Sequence, residues 1–289
     1  MPTKLIRGIT LAYDDLIPAA SAAAANAAAA ANAEAATPVA TANPAPVLVF
    51  IHGHPFNRTM WAQQVTIFQK EYRLILPDLR GYGESDVTTP RVLLDEMALD
   101  IIHLLDELNI KKATFIGLSM GGQIVLDLWR INPHRFTALV IVDSDARAET
   151  PESATRRLAT AEEIQTVGMT KHTDEAIHKY IAKASMANPA VYDPLYKMMT
   201  TTQPEGAAAA HKGRALRRDH TAILPQINVP SLIVVGTEDF FTPIPIARLM
   251  SDNIPGAQLA IIDGAGHLPN MEAPEEFNRQ LESFLKRQP

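Results

Sequence analysis

Short apolar runs alternate with longer amphipathic stretches along most of the chain. The runs typical of buried strands lie at positions 47–51, 73–77, 113–118, 138–143, 231–236 and 258–262. Apolar residues at helical spacing lie at positions 59–70, 91–109, 119–131 and 274–286. Nearly continuous apolar strands that alternate with helices predict an α/β fold, in which a mostly parallel sheet is covered by helices on both faces.

The alternation stops over residues 146–220, which contain helical patterns and no convincing strand. Stretches 174–187 and 189–202 each have a helical pattern. We therefore predict a helical cap at 146–220, which divides the α/β core into residues 1–145 and 221–289. Such a cap would lie at the carboxyl ends of the strands, where open α/β sheets bind ligands. Its methionines and tyrosines could line a pocket, although in helices they more often pack in a core; they are Met186, Tyr192, Tyr196, Met198 and Met199.

Residues 17–46 form an alanine-rich, low-complexity segment. Positions 19–36 hold 14 alanines among 18 residues, interrupted only by serine, asparagine and glutamate. Alanine is too weakly apolar for this run to predict a membrane-spanning helix, and prolines follow it. We interpret the segment as a surface insertion between two early strands; a lid or partner-binding segment is the alternative.

Composition and charge exclude several classes of function. The 289 residues include 26 Lys and Arg against 32 Asp and Glu, which gives a formal charge of -6, and no five like charges adjoin. A nucleic-acid partner is therefore not expected. The absence of cysteine excludes thiolate nucleophiles, zinc–thiolate sites and Fe–S clusters. The first residues lack the basic and apolar regions of a secretory signal, so we expect a cytoplasmic protein with no membrane partner.

One serine motif stands between a predicted strand and a predicted helix. Gly117-Leu-Ser119-Met-Gly121 is the only G-x-S-x-G in the chain. In a nucleophile elbow, flanking glycines let the strand and the helix approach closely, so that the serine takes a strained turn with its Oγ above the sheet. The N-terminus of the following helix favours developing negative charge. Ser119 is therefore the candidate nucleophile.

Two further side chains follow the ends of predicted strands. Asp239 comes after the run 231–236 and His267 comes after the run 258–262, so the chain order is nucleophile, acid, base. A histidine that accepts the serine proton and an acid that orients the histidine would complete a catalytic triad. Asp143 is the alternative acid. We favour Asp239, which follows the strand after the predicted cap.

An acyl-transfer site also needs N–H donors for the oxyanion of its tetrahedral intermediate. The loop after the strand 47–51 contains Gly53 and Pro55, which would orient its backbone toward the elbow. We assign the oxyanion hole to the backbone N–H groups of His54 and Met120. His52, in the same loop, is expected to be structural, with its ring bonded to nearby backbone.

With these motifs the chain resembles the α/β-hydrolase superfamily, over essentially its whole length apart from the alanine-rich insertion. The resemblance rests on four runs, which are His52-Gly-His-Pro55, Pro77-Asp-Leu-Arg-Gly-Tyr-Gly-Glu-Ser85, Gly117-Leu-Ser-Met-Gly-Gly122 and Gly264-Ala-Gly-His-Leu268. It implies an eight-stranded, mostly parallel sheet with flanking helices, and the motifs look most like the carboxylesterase, enol-lactonase and cofactor-free haloperoxidase branch. The serine argues against haloalkane dehalogenases and epoxide hydrolases, which use aspartate as nucleophile.

The chain departs from its relatives after the sixth strand. Where relatives often read Asp-Thr-Arg, this chain reads Asp143-Ser144-Asp145. An acid in place of a cation at the cap entrance argues against strongly anionic substrates.

No cofactor or metal site is expected. The chain has no HExxH motif, and Gly81-Tyr-Gly83 lacks the third glycine and the helix of a dinucleotide fingerprint. The sequence thus predicts a carboxylic-ester hydrolase that acts on a small-molecule ester through an acyl-enzyme. Lactone, perhydrolase and C–C bond chemistry with the same triad, and a receptor-like protein with slow turnover, remain alternatives.

Replacement of residues 18–45 by a short Gly-Ser linker tests the interpretation of the insertion. We expect kcat/KM on small esters to stay within about threefold and the free energy of unfolding within about 1 kcal/mol, because loop-closure cost grows only slowly with length. Ester assays and urea denaturation check both values. A variant that folds normally but loses most activity would favour the lid.

Overall fold

In the computed structural model, which describes residues 2–19 and 45–288, eight strands form one sheet. The strands are β1 (Thr3–Ile6), β2 (Ile9–Leu16), β3 (Val47–Ile51), β4 (Arg73–Pro77), β5 (Ala113–Leu118), β6 (Phe136–Val142), β7 (Ser231–Gly236) and β8 (Gln258–Ile262). Their order is β1-β2-β4-β3-β5-β6-β7-β8, and β2 is antiparallel to both of its neighbours while the pairs from β4 to β8 are parallel. The predicted mostly parallel sheet is confirmed. Most of the alanine-rich insertion, residues 20–44, lies outside the described residues.

Helices cover both faces of this sheet. They are α1 (Ala62–Phe68), α2 (Leu94–Glu107), α3 (Met120–Ile131), α4 (Pro151–Ala176), α5 (Pro189–Thr201), α6 (Pro204–Arg214), α7 (Ile244–Asn253), α8 (Pro269–Glu272) and α9 (Pro274–Leu285). One hydrophobic core joins the sheet to α2, α3 and α7, and a second joins its other face to α1 and α9. Phe115 and Ile116, neighbours on β5, enter opposite cores, which is why the buried strands read as continuous apolar runs. Within residues 2–19 and 45–288, no helix has the length and apolar content to cross a membrane.

Helices α4, α5 and α6 lie between β6 and β7, where the sequence predicts a cap. The helix predicted at 189–202 is confirmed as α5. The helix predicted at 174–187 is wrong, because α4 ends at Ala176 and only short 3-10 turns, Ile177–Lys179 and Ser185–Ala187, follow it. Helix α4 bends at Gly168, whose φ of 79° and ψ of 168° are not helical. The five methionines and tyrosines considered as pocket residues, which are Met186, Tyr192, Tyr196, Met198 and Met199, pack in or against the second core and do not border the cavity described below. Tyr180, from the same region, does border it.

Helix α6 packs with its backbone directly against the core, because it is built of glycine and alanine. A Cβ at Gly213 would lie 1.6 Å from the carbonyl oxygen of Val92, and one at Gly206 would lie 2.0 Å from that of Gly81. The N–H of Val92 also donates to the carbonyl oxygen of Ala209. No large apolar stripe marks α6 in the sequence, which is why the periodicity does not predict this helix.

Substitution of Gly213 by alanine tests this close approach. In an ordinary helix interior the change stabilises by about 1 kcal/mol. Here we expect it to lower the free energy of unfolding by about 1 to 3 kcal/mol, because the methyl group has no space beside Val92. Urea denaturation measures the change, and Lys212→Ala on the same helix serves as control. A Gly213→Ala protein at least as stable as wild type would contradict the packing described.

Candidate active site

Ser119 occupies a strained turn between β5 and α3. Its φ of 55° lies in the left-handed region, which costs a non-glycine residue roughly 1 to 3 kcal/mol. The flanking glycines permit this turn: a Cβ at Gly117 would lie 2.3 Å from the carbonyl oxygen of Gly121, and one at Gly121 would lie 2.2 Å from that of Ile51. The strand, the helix and the end of β3 therefore meet around the serine, in the geometry expected of a nucleophile elbow.

His267 and Asp239 form a buried pair beside this turn. The Nδ1 atom of His267 lies 2.9 Å from Oδ1 of Asp239, and both residues are at least 95% buried. The same carboxylate accepts hydrogen bonds from the N–H of Phe241, at 2.8 Å, and from the hydroxyl of Thr242. Burial alone would raise the pKa of Asp239, but His267 and these two hydrogen bonds bring it well below its ordinary value. Asp239 is therefore an ionised acid that holds Nδ1 of the histidine in its protonated form.

Ser119 and His267 border one cavity of about 470 Å³. In the part of the chain that the structure describes, no hydrogen bond joins Ser119 Oγ to the histidine ring. Catalytic hydrogen bonds in free enzymes are often long and tighten only when substrate binds. The structure thus brings together all three residues of the expected triad, with the contact between acid and histidine already formed.

Asp143, the alternative triad acid, sits just past β6 and contacts the same pair. Its Oδ1 accepts a hydrogen bond of 2.9 Å from the N–H of Gly236, whereas its buried Oδ2 has no partner among the residues described. Burial, and then the negative charge of Asp239, raise the pKa of Asp143 well above its ordinary value. Asp143 is therefore a neutral carboxylic acid beside Asp239, and the histidine contact belongs to Asp239.

The two expected oxyanion donors lie on segments that touch. A Cβ at Gly53 would lie 3.1 Å from the carbonyl oxygen of Leu118, so the loop that carries His54 rests on the end of β5. Met120 is the first residue of α3, and the N–H groups of a first helical turn have no partner within their helix. His54 and Ser119 border the same cavity.

His52 is structural, as expected. Its Nδ1 lies 2.8 Å from the carbonyl oxygen of Gly53, and its Nε2 accepts a hydrogen bond of 2.9 Å from the N–H of Leu79. Since a carbonyl oxygen only accepts, Nδ1 carries the proton. The ring therefore ties the loop that precedes His54 to the segment after β4.

The ring of His54 meets two groups that the sequence analysis did not single out. Its Nδ1 lies 2.6 Å from the hydroxyl of Tyr82, and its ring lies edge to face with that of His211 on α6, with centroids 4.3 Å apart. Burial lowers the pKa of both histidines well below the ordinary value, so both rings are neutral at pH 7. No sequence motif or apolar periodicity identifies His211 as a candidate site residue.

Asp145 borders the cavity, but its charge is paired with that of an arginine. The carboxylate of Asp145 lies 2.8 Å from the guanidinium of Arg147 and is thereby neutralised. Five arginines and only two carboxylates line the cavity among the described residues; the arginines are Arg147, Arg156, Arg157, Arg214 and Arg217, and the carboxylates are those of Asp145 and Glu149. This excess of arginines makes the cavity cationic. Most of these arginines come from α4 and from the end of α6 or just after it.

Comparison with known proteins agrees with the fold. The sequence profile of the Alpha/beta hydrolase family matches residues 48–280, and the chain belongs to this family. Among curated relatives, the 3-oxoadipate enol-lactonase 1 of Acinetobacter baylyi is 31% identical over 243 residues, which cover 84% of this chain and 89% of that one.

Two solved structures are also similar. A thermophilic esterase from Thermogutta terrifontis, in a malate-bound structure, matches with a TM-score of 0.86 and 30% identity over 99% of this chain and 98% of that one. The enol-lactonase from Burkholderia xenovorans matches with a TM-score of 0.85 and 25% identity over 99% of this chain and all of the other. The α/β-hydrolase resemblance drawn from the motifs is therefore confirmed.

The variant Asp143→Asn tests whether Asp143 is neutral in the folded protein. Folding raises the pKa of Asp143, so the folded protein keeps this proton at pH values where the unfolded chain has already released it. The free energy of unfolding of the wild-type protein therefore falls as the pH rises above the ordinary pKa of an aspartate. Asparagine removes this penalty. We expect the stability of the variant relative to wild type to increase between pH 5 and pH 7, by up to about 1.4 kcal/mol per pH unit. Urea denaturation at both pH values measures it, and a difference independent of pH would contradict the assignment.

Proposed function

We propose that this protein is a serine hydrolase that cleaves carboxylic esters, lactones included, through an acyl-enzyme. The observation that carries the proposal is the strained elbow of Ser119 beside the buried pair of His267 and Asp239, on the wall of one cavity. Nucleophile, base and orienting acid in this arrangement define the chemistry of acyl transfer.

The first half of the reaction transfers the acyl group to the serine. Ser119 Oγ attacks the carbonyl carbon of the substrate while Nε2 of His267 accepts the serine proton. Asp239 holds the opposite ring nitrogen and stabilises the imidazolium that forms. The N–H groups of His54 and Met120 donate to the oxyanion of the tetrahedral intermediate. When that intermediate collapses, His267 returns its proton to the leaving alcohol.

The second half releases the acid product. Water attacks the acyl-enzyme while His267 accepts one of its protons, and the same two N–H groups stabilise the second oxyanion. His267 then protonates Ser119 Oγ as the acid departs. In a lactone the leaving alcohol remains tethered to the acyl group, so the product is a single hydroxy acid or its keto form.

Enol-lactone hydrolysis is the second candidate within the same chemistry. Two curated relatives, at 31% and 28% identity, are named 3-oxoadipate enol-lactonases, and a third protein of similar fold is an enol-lactonase. An assay of linear esters beside an enol-lactone distinguishes the two candidates. A receptor-like protein would bind such compounds and turn over neither class.

Replacement of the triad residues tests the mechanism. Ser119→Ala should lower kcat on p-nitrophenyl butyrate by about 10⁴-fold or more, because it removes the nucleophile. His267→Ala should cost about as much and Asp239→Asn somewhat less. Ser283→Ala, an exposed serine on α9, is the matched control and should retain full activity.

Two outcomes would overturn this mechanism. One is a Ser119→Ala protein that keeps a tenth of the wild-type activity. The other is loss of activity in EDTA that zinc or manganese restores, because the potential ligand atoms of Asp143, Asp239 and His267 lie within 4.8 Å of one another.

A further inference from the structure

The arginines that line the cavity differ in how their charges are balanced. Arg157 lies 2.6 Å from the carboxylate of Glu149, and Arg217 lies 3.2 Å from the same carboxylate. The guanidinium of Arg147 forms an ion pair with the carboxylate of Asp145, at 2.8 Å. The two carboxylates of the cavity are thus already engaged by three arginines.

Two of the five arginines, Arg156 and Arg214, have no ion pair with any carboxylate in residues 2–19 and 45–288. Arg156 is exposed to solvent, whereas Arg214, at the end of α6, is 93% buried and borders the cavity. The one hydrogen bond from its guanidinium runs from Nε to Oε1 of Gln123, at 3.4 Å. Burying a cation without an anion costs free energy, so such a group is expected where a ligand supplies the missing charge.

The charge on Arg214 persists at neutral pH. Burial first, and then the neighbouring Arg157 and Arg217, lower its pKa to about 9. The guanidinium is therefore protonated in the range where an ester hydrolase of this type would act. Its planar fork matches the two oxygens of a carboxylate.

The position of Arg214 sets the distance between the anion and the reacting carbonyl. Its hydrogen-bond partner Gln123 donates its own N–H to the carbonyl oxygen of Ser119, so Gln123 lies one helical turn from the nucleophile. The charge of Arg214 also contributes, after burial and His211, to the lowered pKa of His54, beside the oxyanion loop. An anion bound by Arg214 would thus lie only a few carbon atoms from the carbonyl attacked by Ser119.

We propose that Arg214 binds a free carboxylate on the acyl part of the substrate, so that the protein prefers half-esters or lactones of short dicarboxylic acids to neutral esters of equal length. This inference rests on the proposed function and adds the substrate class to it. The single positive charge of this buried guanidinium can pair with the single negative charge of one carboxylate. The neutral rings of His54 and His211, which have buried nitrogen atoms without partners among the described residues, would not repel it.

A matched pair of substrates tests the preference. Monoethyl succinate and ethyl butyrate have acyl groups of four carbons and differ by the carboxylate, and a pH indicator follows the hydrolysis of both. We expect the wild-type protein to have a kcat/KM at least tenfold higher for monoethyl succinate. Arg214→Met should lower that ratio at least tenfold, mainly through KM, whereas Arg214→Lys, which keeps the charge, should retain part of it. Arg279→Met, an exposed arginine on α9, should leave the ratio unchanged.

The outcomes separate this inference from the proposed function. A wild-type protein that hydrolyses ethyl butyrate as well as monoethyl succinate would overturn the carboxylate site and leave the ester hydrolase intact. If neither ester nor an enol-lactone is hydrolysed, the proposed function fails, and calorimetric titration of the wild-type protein with monoethyl succinate still tests the site. Binding that is at least tenfold weaker in Arg214→Met supports it. Equal binding by wild type and a folded Arg214→Met protein overturns it. No binding by wild type overturns it whether or not the variant folds.

Discussion

The contact on which the rest of the site depends is the approach of bare backbone at the end of β5. Gly117 and Gly121 leave no side chain between the strand, the first turn of α3 and the end of β3, and any Cβ there would lie within 2.3 Å of a carbonyl oxygen. That approach turns Ser119 out of the regular strand conformation and holds the loop of His54 beside it. The strain at Ser119 is sustained because packing on both faces of a fully buried strand fixes the turn.

Buried charge is treated in three ways around this turn. Asp239 keeps its charge because His267, Thr242 and a backbone N–H stabilise it. Asp143, next to it, is protonated and therefore neutral, because burial and the charge of Asp239 raise its pKa. Arg214 keeps its charge without an ion pair to any carboxylate among the described residues. The charge is stabilised within the protein in the first case and absent in the second. In our proposal the third is balanced when an anion binds, so that the cationic cavity sets the substrate choice of this chain.

The α4–α6 region contributes to the cavity separately from the candidate catalytic residues. The elbow, the acid and the histidine lie on loops at the carboxyl ends of the sheet strands, where the fold itself places them. Residues between β6 and β7 add much of the rest of the cavity lining, and α4 and α6, which lack a strong apolar pattern, contribute three of its arginines. A change of side chain on these helices alters the charge of the pocket without altering the serine, the histidine or the oxyanion loop.

Sequence alone determined the sheet core and the order of its catalytic candidates. Strands at 47–51, 73–77, 113–118, 231–236 and 258–262 agree with the structure because buried strands are apolar on both faces, and Ser119, Asp239 and His267 follow three strands whose ends must meet. Only the tertiary structure decided which acid contacts the histidine, because Asp143 and Asp239 both follow strands and differ only in their partners. It also decided the charge of the cavity. The sequence expectation considered Asp145 alone, whereas its pairing with Arg147 and the approach of Arg214 on α6 depend on helix packing through glycine and alanine, which leaves no periodic apolar pattern to read.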